Sequence, residues 1–367
     1  MDKRKLTKTE SSILKILIQT PMISQDELAA KLASSRTSVS VHINNLVKKG
    51  YILGRGYLIS DKIGVTAIGA SMIDITGRSF DRLLEKDSNP GAITVTPGGV
   101  TRNVSENLAL LNVDCTLITA LCNDSFGYLI KKRCEEVGID ISHAYYSQDG
   151  ITTTYIAILE NDGDMNLALS DTAALDKLPI EHIIKNKMIL EKNEIIVIDS
   201  ALPNEIIDYL VDNFSDKRIF VDPVSVGKAK SIKPIIGKFD TLKCNKLEAS
   251  YLADIKITDE KTLEQAAAIL IEKGLKHVFI TRGSKGSYYQ SKDDKGYVST
   301  SNVDIINATG AGDAYMAGVV YGALNDFSLS KTADFANMMS AIALASVSAV
   351  NPLMSIDLIN TKLRKRG

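Results

Sequence analysis

The 367-residue sequence predicts an α/β protein, in which a mostly parallel sheet is covered by helices on both faces, carries a small β-lid and follows a small helical domain. Three observations predict this. After residue 62, short apolar runs alternate with segments of helical periodicity, as in parallel sheets. A few short alternating segments interrupt that rhythm. Residues 1–60 carry 10 Lys and Arg against 4 Asp and Glu, whereas the remainder carries 33 against 40. We therefore predict two domains, residues 1–60 and residues 63–367.

Composition narrows the class of protein. Hydrophobic residues make up 45% of the chain and charged residues 24%, as in an ordinary globular protein with about two domains. The four cysteines form no C-x-x-C pair and the four histidines no cluster, so neither a disulfide framework nor a structural zinc site is expected. The N-terminus lacks a signal-peptide core, and the longest apolar stretch, near 338–350, is broken by serine. These features predict a cytoplasmic protein that does not enter a membrane.

The basic N-terminal domain shows the signals of three helices. Apolar residues at helical spacing predict a helix over residues 6–18, which Pro21 follows. The run Ser24-Gln-Asp-Glu27 matches a capping box and predicts a second helix through residue 32. After a tight turn at Ala33-Ser-Ser, residues 36–49 predict a third helix, and Gly50 ends it.

The third helix and the segment after it have a layout that is found in a known class of domain. Val39, Ile43, Leu46 and Val47 form one apolar face, and residues 51–59 alternate around glycines like a small two-stranded wing. This layout resembles the winged helix-turn-helix domains of bacterial regulators, with residues 36–49 as the recognition helix. The resemblance implies DNA contacts by Arg36, Thr37, Ser38, Ser40, His42 and Arg55. The alternative is a basic three-helix domain that serves dimerisation or forms a solvated appendage.

The second domain shows the strand and helix rhythm of a parallel sheet. Strands are predicted at residues 65–69, 116–120, 195–198, 219–221 and 277–281, and helices at 104–111, 127–137 and 263–273. Residues 92–95, 153–159 and 165–169 predict antiparallel hairpins. These hairpins predict a β-lid built from segments near 90–97 and 151–170.

The stretch Ile-Ile-Asn-Ala-Thr-Gly-Ala-Gly-Asp at 305–313 predicts the central site. The β-branched run at 303–306 is typical of the end of a buried strand, and residues 314–324 predict a helix. Gly310 and Gly312 lack Cβ atoms, so a phosphate can approach the free N–H groups of the first helical turn. Asp313 would repel that phosphate unless it takes a proton from the attacking hydroxyl. The simpler interpretation is that Asp313 only caps a helix beside a glycine turn.

Two segments near the start of this domain are candidates for substrate binding. Asp74 follows the first predicted strand, where open α/β sheets collect ligands, although such an aspartate is often only a turn residue. The run Pro97-Gly-Gly-Val-Thr-Arg-Asn103 is more informative, because Gly98 and Gly99 permit close backbone approach. Asn103 is predicted to open a helix with an amide that can both donate to and accept from a diol.

Two further segments are candidates for the nucleotide. Asn245-Lys-Leu-Glu248 places an amide and a carboxylate three residues apart, which suits Mg²⁺ held through water but also a plain helix start. The run 281–286 follows a strand with the glycines Gly283 and Gly286, which suits phosphates but also a plain hairpin. Neither G-x-x-x-x-G-K-[ST] nor G-x-G-x-x-G occurs, which disfavours P-loop and dinucleotide-binding proteins.

Taken in order, these motifs resemble the ribokinase-like family of carbohydrate and nucleoside kinases over residues 63–360. The runs S-N-P-G-A-I (88–93), T-P-G-G-V-T-R-N (96–103), E-N-L-A-L-L (106–111), V-D-P-V-S (221–225) and N-A-T-G-A-G-D (307–313) are similar to those of bacterial pseudouridine kinases. Met72 stands where many relatives carry a sugar-binding Asn, Thr101 where close relatives carry Gly, and Asn307 where ribokinases carry an Asp.

The resemblance implies a role for each motif residue. The ribose hydroxyls are held by Asp74, Gly98, Gly99 and Asn103; Asp313 is the general base; and the amides of Gly310, Ala311 and Gly312 form the anion hole. The nucleotide site is formed by Asn245, Thr281, Gly283, Gly286, Gly312 and Asn337. Asn245 and Glu248 hold Mg²⁺ through water, and a monovalent cation such as K⁺ lies near Asn307 and Thr309.

We therefore expect that the protein phosphorylates the 5′-hydroxyl of a ribonucleoside with ATP and Mg²⁺. The expected nucleoside is pseudouridine. The resemblance also implies a homodimer paired through the lids, and DNA as the partner of residues 1–60. The alternatives are a kinase for another nucleoside or sugar, and a ligand-sensing transcriptional regulator whose kinase fold acts as the sensor. Intact Asp313 and glycine loops favour catalysis over a degenerate sensor.

Overall fold

The computed structural model describes residues 6–52, 64–300, 305–307 and 309–366. The chain divides into two compact units: residues 6–52 belong to the first together with Met188–Glu194, and the second holds Gly64–Lys187 and the chain from Ile195 onward. The predicted wing at 51–59, with Arg55, lies outside the described residues from position 53 on.

Residues 6–52 form three helices: α1 (Lys8–Gln19), α2 (Gln25–Lys31) and α3 (Arg36–Lys48). The predicted capping box is confirmed, because Ser24 Oγ accepts from the Glu27 amide while the Glu27 carboxylate accepts from the Ser24 amide. Such a cap stabilises a helix by about 1 kcal/mol. The predicted apolar face of α3 is confirmed for three of its four members, which are buried, but is wrong for Val47, which is 48% exposed.

The rest of the described chain contains fourteen strands: β1 (Val65–Ile68), β2 (Met72–Ser79), β3 (Gly91–Gly98), β4 (Cys115–Ile118), β5 (Ala120–Cys122), β6 (Tyr145–Ser147), β7 (Thr154–Leu159), β8 (Met165–Asp171), β9 (Ile195–Asp199), β10 (Arg218–Asp222), β11 (Thr241–Asn245), β12 (His277–Thr281), β13 (Ser287–Gln290) and β14 (Lys295–Val298). Its helices are α4 (Val100–Leu110), α5 (Ser125–Glu136), α6 (Ala173–Asp176), α7 (Ile180–Lys185), α8 (Lys187–Lys192), α9 (Asn204–Asn213), α10 (Lys246–Ala253), α11 (Glu260–Glu272), α12 (Ala311–Leu324), α13 (Leu329–Leu344) and α14 (Ile356–Arg366).

Eight strands form the main sheet in the order β14-β13-β12-β11-β10-β9-β1-β4. The pairs from β4 to β12 are parallel, and β13 and β14 continue the sheet as antiparallel strands. The strands β1 and β9 are buried along their whole length, as expected when helices cover both faces. The predicted mostly parallel α/β fold is therefore confirmed.

The lid is a separate four-stranded sheet in the order β3-β2-β7-β8. The prediction of antiparallel hairpins is right for β7 with β8 but incomplete, because β2 pairs antiparallel with β3 and parallel with β7. Strand β2 was missed in the sequence, although Ile73 and Ile75 alternate with Asp74 and Thr76 in the pattern of a strand. Asp74 consequently lies within a lid strand and not in a turn.

Two other sequence predictions are wrong in detail. The strand expected at 116–120 is split at Thr119 into β4, in the main sheet, and β5, which pairs with β6 in a small separate sheet. The end of a buried strand expected at 303–306 is not formed by Ile305 and Ile306, which are 66% and 61% exposed. The amide of Ile306 donates to the carbonyl of Leu344, so the segment docks its backbone on the end of α13 and not on a strand. Val303 lies outside the described residues.

Candidate active site

Four polar residues line the carboxyl edge of the main sheet, because each is the last residue of a neighbouring parallel strand. They are Asp199, Asp222, Asn245 and Thr281, at the ends of β9, β10, β11 and β12. The register pairs Asp222 with Asp199 and Asn245 with Thr281. Ligands of open α/β sheets bind at this edge.

The N-terminus of α12 has the backbone geometry that the predicted anion site requires. Gly310 has a φ of +82°, and a Cβ there would lie 1.9 Å from the carbonyl oxygen of Ala349. A side chain is therefore excluded both by backbone conformation and by space. The helix begins at Ala311, so the amides of Ala311, Gly312 and Asp313 belong to a first turn that lacks intrahelical partners.

A buried lysine lies directly behind this helix turn. A Cβ on Gly312 would lie 2.7 Å from Lys243 Nζ, and that nitrogen donates to Asp222 Oδ2 at 2.8 Å. Burial opposes the charge of Lys243, but attraction by Asp222 and Asp313 outweighs it and raises the pKa of the lysine. A fixed positive charge therefore stands beside the place where a phosphoryl group would meet the first turn of α12.

Asp313 has the environment of a general base. Asn103 Nδ2 donates to Asp313 Oδ2 at 2.8 Å, which joins two segments 210 residues apart in the chain. Burial raises the pKa of Asp313 to about 7, against the opposing effect of Lys243. A carboxyl with that pKa is poised to exchange a proton near neutral pH.

The predicted substrate segments come together around α4. A Cβ on Gly98 would lie 2.0 Å from Asp74 Oδ2, and one on Gly99, whose φ is +98°, would lie 2.5 Å from the Ala70 carbonyl oxygen. Burial raises the pKa of Asp74 to about 6, although the charge of Arg102 opposes the shift. The helix begins at Val100, so Asn103 lies within its first turn and does not open it as predicted.

Asp199 ties these segments to the sheet. Its Oδ2 accepts from the Ala70 amide at 2.8 Å and from the Thr101 hydroxyl at 2.6 Å, and its Oδ1 accepts from the Ala201 amide at 3.0 Å. Thr101 stands where close relatives were expected to carry glycine, and here its hydroxyl is part of the framework of the site. Burial raises the pKa of Asp199.

The predicted nucleotide residues lie on the β12 side of the edge. Gly286 has a φ of +80°, and a Cβ there would lie 2.1 Å from the Val298 carbonyl oxygen, whereas Gly283 faces open space. Asn337, buried on α13, donates to the same Val298 oxygen at 3.2 Å. Thr281 and Ser287 pair across the antiparallel strands β12 and β13. The loop 281–286 therefore connects a hairpin, which was the alternative interpretation of this segment from the sequence.

Asn245 and Glu248 form a capping box at the start of α10. Asn245 Oδ1 accepts from the Glu248 amide at 3.0 Å, and Glu248 Oε2 accepts from the Asn245 amide at 2.8 Å. Burial raises the pKa of Glu248. Within the described chain no three acidic, histidine or cysteine side chains cluster as metal ligands. The pair fits Mg²⁺ that keeps its waters and binds nucleotide phosphates, as Mg²⁺ commonly does.

The proposed monovalent-cation residues are already engaged with the backbone. Asn307 Oδ1 accepts from the Thr309 amide at 2.9 Å, and Asn307 Nδ2 donates to the Val347 carbonyl at 2.8 Å. The amide thus shapes the loop that leads into α12, and it lacks the charge of the aspartate found in ribokinases.

The predicted DNA-contact residues lie on α3, apart from Arg55. Arg36 and Thr37 are exposed, and Ser38, Ser40 and His42 are partly buried. Arg36 lies 3.5 Å from the exposed Asp26, a pair that contributes little to stability in water. The arginine can therefore exchange this partner for a phosphate.

Sequence reasoning missed four polar residues of the site: Lys243, Asp199, Asp222 and Arg102. A signal existed for two of them, because I-I-V-I-D and R-I-F-V-D both end a strand pattern with aspartate. Lys243 sits inside a strand pattern and Arg102 inside a helix pattern, where the sequence gives no sign that either is buried.

The fold and the family matches together define a phosphotransferase with an alcohol acceptor, fused to a winged helix-turn-helix DNA-binding domain. The profile of the pfkB family carbohydrate kinases matches residues 62–356, and that of a winged helix-turn-helix DNA-binding domain matches residues 6–52. The chain belongs to the pfkB carbohydrate kinase family. A putative ribokinase II of Escherichia coli, solved in complex with ATP and Mg²⁺, shares the fold with a TM-score of 0.72 at 21% identity, over 83% of this chain and 100% of that one.

The chain is similar to two curated proteins in sequence and to a solved ribokinase in fold. It is 32% identical to an uncharacterised sugar kinase, YeiI, of Escherichia coli over 95% of this chain and 96% of that protein. It is 31% identical to the pseudouridine kinase of the same organism, over 81% of this chain and 95% of that enzyme. The ribokinase of Arabidopsis thaliana, solved with ribose and ATP, shares the fold with a TM-score of 0.72 at 18% identity, over 83% of this chain and 99% of that one.

Proposed function

We propose that this protein phosphorylates the 5′-hydroxyl of a ribonucleoside with ATP, and that pseudouridine is the substrate to test first. The contact between Asn103 and Asp313 carries the proposal, because it joins a diol-binding amide to a carboxylate with a pKa near neutrality. The likeness to a pseudouridine kinase supports the choice of nucleoside. Another nucleoside or a sugar is the alternative substrate, and a guanosine-inosine kinase is also similar, at 26% identity.

In the proposed reaction, Asp313 accepts the proton of the attacking hydroxyl as that oxygen forms its bond to the γ-phosphorus and the bond to ADP breaks. Asp74 and Asn103 hold the ribose hydroxyls, and Gly98 and Gly99 let the backbone approach them. The amides of residues 310–312 and the ammonium of Lys243 stabilise the negative charge on the transferred group.

The nucleotide is proposed to lie between Asn245, Thr281, Gly283, Gly286 and Asn337. Asn245 and Glu248 would hold Mg²⁺ through water. That ion supplies charge neutralisation of the β- and γ-phosphates. A monovalent cation near Asn307 and Thr309 stays a prediction, and turnover with K⁺ replaced by tetramethylammonium tests it.

The lid suggests both water exclusion and a homodimer. Val95, Ile75, Ile156 and Leu169 are cross-strand partners in one row and so share a face. On this face Val95 and Leu169 are 46% and 63% exposed, and Ile93 and Leu167 of the next row are 74% and 55% exposed. We propose that a second copy covers this apolar face. Sedimentation of Ile93→Glu should show a monomer, whereas Tyr128→Glu on α5 should not alter assembly; a wild-type monomer overturns the proposal.

A coupled assay of ADP release tests the enzyme. Pseudouridine, uridine, cytidine, guanosine, ribose and fructose are compared at equal concentration. Turnover of pseudouridine well above the others supports the full proposal. Rapid turnover of another compound alone refutes pseudouridine and retains the kinase. No turnover of any compound, with nucleoside binding preserved, favours a ligand-sensing regulator.

We further propose that residues 6–52 bind palindromic DNA near genes for the nucleoside pathway. The support is the winged helix-turn-helix match and the exposed Arg36 and Thr37 at the start of α3. A dimer would read two half-sites about 34–36 Å apart. Arg55 is proposed to add a contact from the wing.

The domain boundaries 1–60 and 63–367 stay predictions, as does the cytoplasmic location. Of the described helices, none is long and apolar enough to span a bilayer.

A further inference from the structure

Arg102 is a buried arginine one residue before the substrate-binding Asn103. It is 2% exposed, and each of its three nitrogens donates to a protein oxygen. Nε donates to the Gly98 carbonyl at 3.0 Å, Nη1 to the Glu106 carboxylate and Nη2 to Asn103 Oδ1. Because Arg102 is enclosed, it does not reach a bound substrate.

The bond to Asn103 decides which way that amide points. An asparagine amide can turn either its oxygen or its nitrogen to a neighbour, and the two orientations have nearly the same shape. A guanidinium only donates, so it requires Oδ1 on its own side. The amide nitrogen is then left facing Asp313 Oδ2, at 2.8 Å.

We propose that Arg102 is a positioning residue, which fixes the Asn103 amide so that an N–H is aimed at the carboxylate of Asp313. This inference rests on the proposed kinase function, because it assigns Asp313 as the base. The orientation makes Asn103 a donor toward the reacting centre. The attacking hydroxyl must then donate to Asp313 itself, which is the direction that proton removal requires.

Arg102 is held by a carboxylate shared between two helices. Glu106, four residues later on α4 and 2% exposed, also accepts from Arg133 of α5, whose Nε lies 2.8 Å away. A buried charged pair that is broken on one side is strongly destabilising, so Glu106 pins the arginine in place. Arg133, 34% exposed, is the outer end of this chain of contacts.

Charged and polar groups from several elements lie close to Asp313 and Arg102. Asp313 faces Lys243 of β11, Asp222 of β10, and Asn103 and Arg102 of α4. Arg102 faces Asp74 of β2, Glu106 of its own helix, and Arg133 and Cys134 of α5. An effect of Arg102 through charge alone is therefore separable from one through the amide, because lysine keeps the charge and loses the fork.

The first test compares Arg102→Lys with Arg133→Gln, which removes a contact to Glu106 but leaves the bonds of Arg102. For the full-length protein with its nucleoside and ATP, Arg102→Lys should lower kcat by about 10²-fold, the size of a ~1 Å misplacement. The KM for ATP should stay as in wild type, whereas the pH midpoint of kcat should rise, because Asp313 loses the Asn103 hydrogen bond that lowers its pKa. Arg133→Gln should keep kcat within a few-fold. Wild-type kcat in folded Arg102→Lys overturns the proposal.

A double-mutant cycle tests whether Arg102 acts through Asn103. In an Asn103→Ala background, Arg102→Lys should cause no further loss of kcat, because the group it positions is absent. Full additivity of the two losses would instead mean that Arg102 acts on the site by another route.

A spectroscopic test needs no turnover and so separates failure of this inference from failure of the proposed function. The side-chain ¹⁵N–¹H signals of Asn103, assigned by their loss in Asn103→Ala, should shift with pH as Asp313 titrates with a midpoint of about 7. In Arg102→Lys that response should be lost or strongly reduced. If Arg102→Lys does not fold, the wild-type titration alone decides: absence of any pH response overturns the inference.

Discussion

Substitution of Gly310 by alanine separates two reasons for a glycine at the head of α12. Gly310 and Gly138 have the same φ of +82°, but their surroundings differ. A Cβ on Gly310 would lie 1.9 Å from the Ala349 carbonyl oxygen, whereas one on Gly138, after the end of α5, has nothing within 4 Å. Gly138→Ala is therefore a matched control that adds only the backbone strain.

The two variants should differ in stability by the steric term. Left-handed backbone costs a non-glycine residue about 1–2 kcal/mol, which is the whole effect expected for Gly138→Ala. Gly310→Ala must in addition displace Ala349 or the helix end by about 1.5 Å to restore contact, and such overpacking adds about 1–3 kcal/mol. We expect about 2–5 kcal/mol for Gly310→Ala in urea unfolding followed by circular dichroism.

The same displacement moves the amides of residues 311 and 312 away from the transferred phosphoryl group. A ~1 Å misplacement of catalytic groups costs about 10²-fold in rate, so kcat of folded Gly310→Ala should fall by about that factor while Gly138→Ala keeps wild-type kcat. Equal destabilisation of the two variants would refute the steric argument. Wild-type kcat in folded Gly310→Ala would refute the anion hole at this turn.

Three other predictions concern the proposed base Asp313 and the DNA-binding domain. Asp313→Asn should keep nucleoside binding, measured by calorimetry, but lose about 10²–10⁴-fold in kcat; full activity contradicts a base at this position. Because the pKa of Asp313 in the folded protein is raised to about 7, activity should rise with pH through that value. Between pH ~4 and ~7 the folded state keeps a proton that the unfolded state has lost, so the stability gained by Asp313→Asn should grow over this range and then level off. A gain in stability that does not depend on pH would contradict the raised pKa. Replacing Arg36 and Arg55 by alanine should flatten the slope of log K against log salt for DNA by about 0.9 per lost phosphate contact, whereas Lys132→Ala on α5 should not; an unchanged slope assigns DNA binding elsewhere.

The sequence by itself determined the local features of the protein. The capping box at Ser24 was readable, as was the glycine-flanked start of α12, because helix caps and left-handed turns depend on residues within about four positions of each other. The strand pattern at His277–Thr281 was also readable from periodicity alone. The covered, mostly parallel sheet followed because alternating strands and helices have few ways to pack, whereas the ribokinase-like family was indicated by the resemblance of the motifs.

The tertiary structure decided which of these residues meet and what their surroundings do to them. Asn103 and Asp313 are 210 residues apart, and only the packing of α4 beside α12 brings them within hydrogen-bond distance. The parallel register places Asp199 beside Asp222. The packing of β11 against the start of α12 brings the Lys243 ammonium next to Gly312. Ile305 and Ile306 are exposed in spite of their strand propensity, and the Ile306 amide donates to Leu344 at the end of α13 and not to a strand. Register, burial and pKa arise from contacts distant in sequence, so residue pattern alone does not contain them.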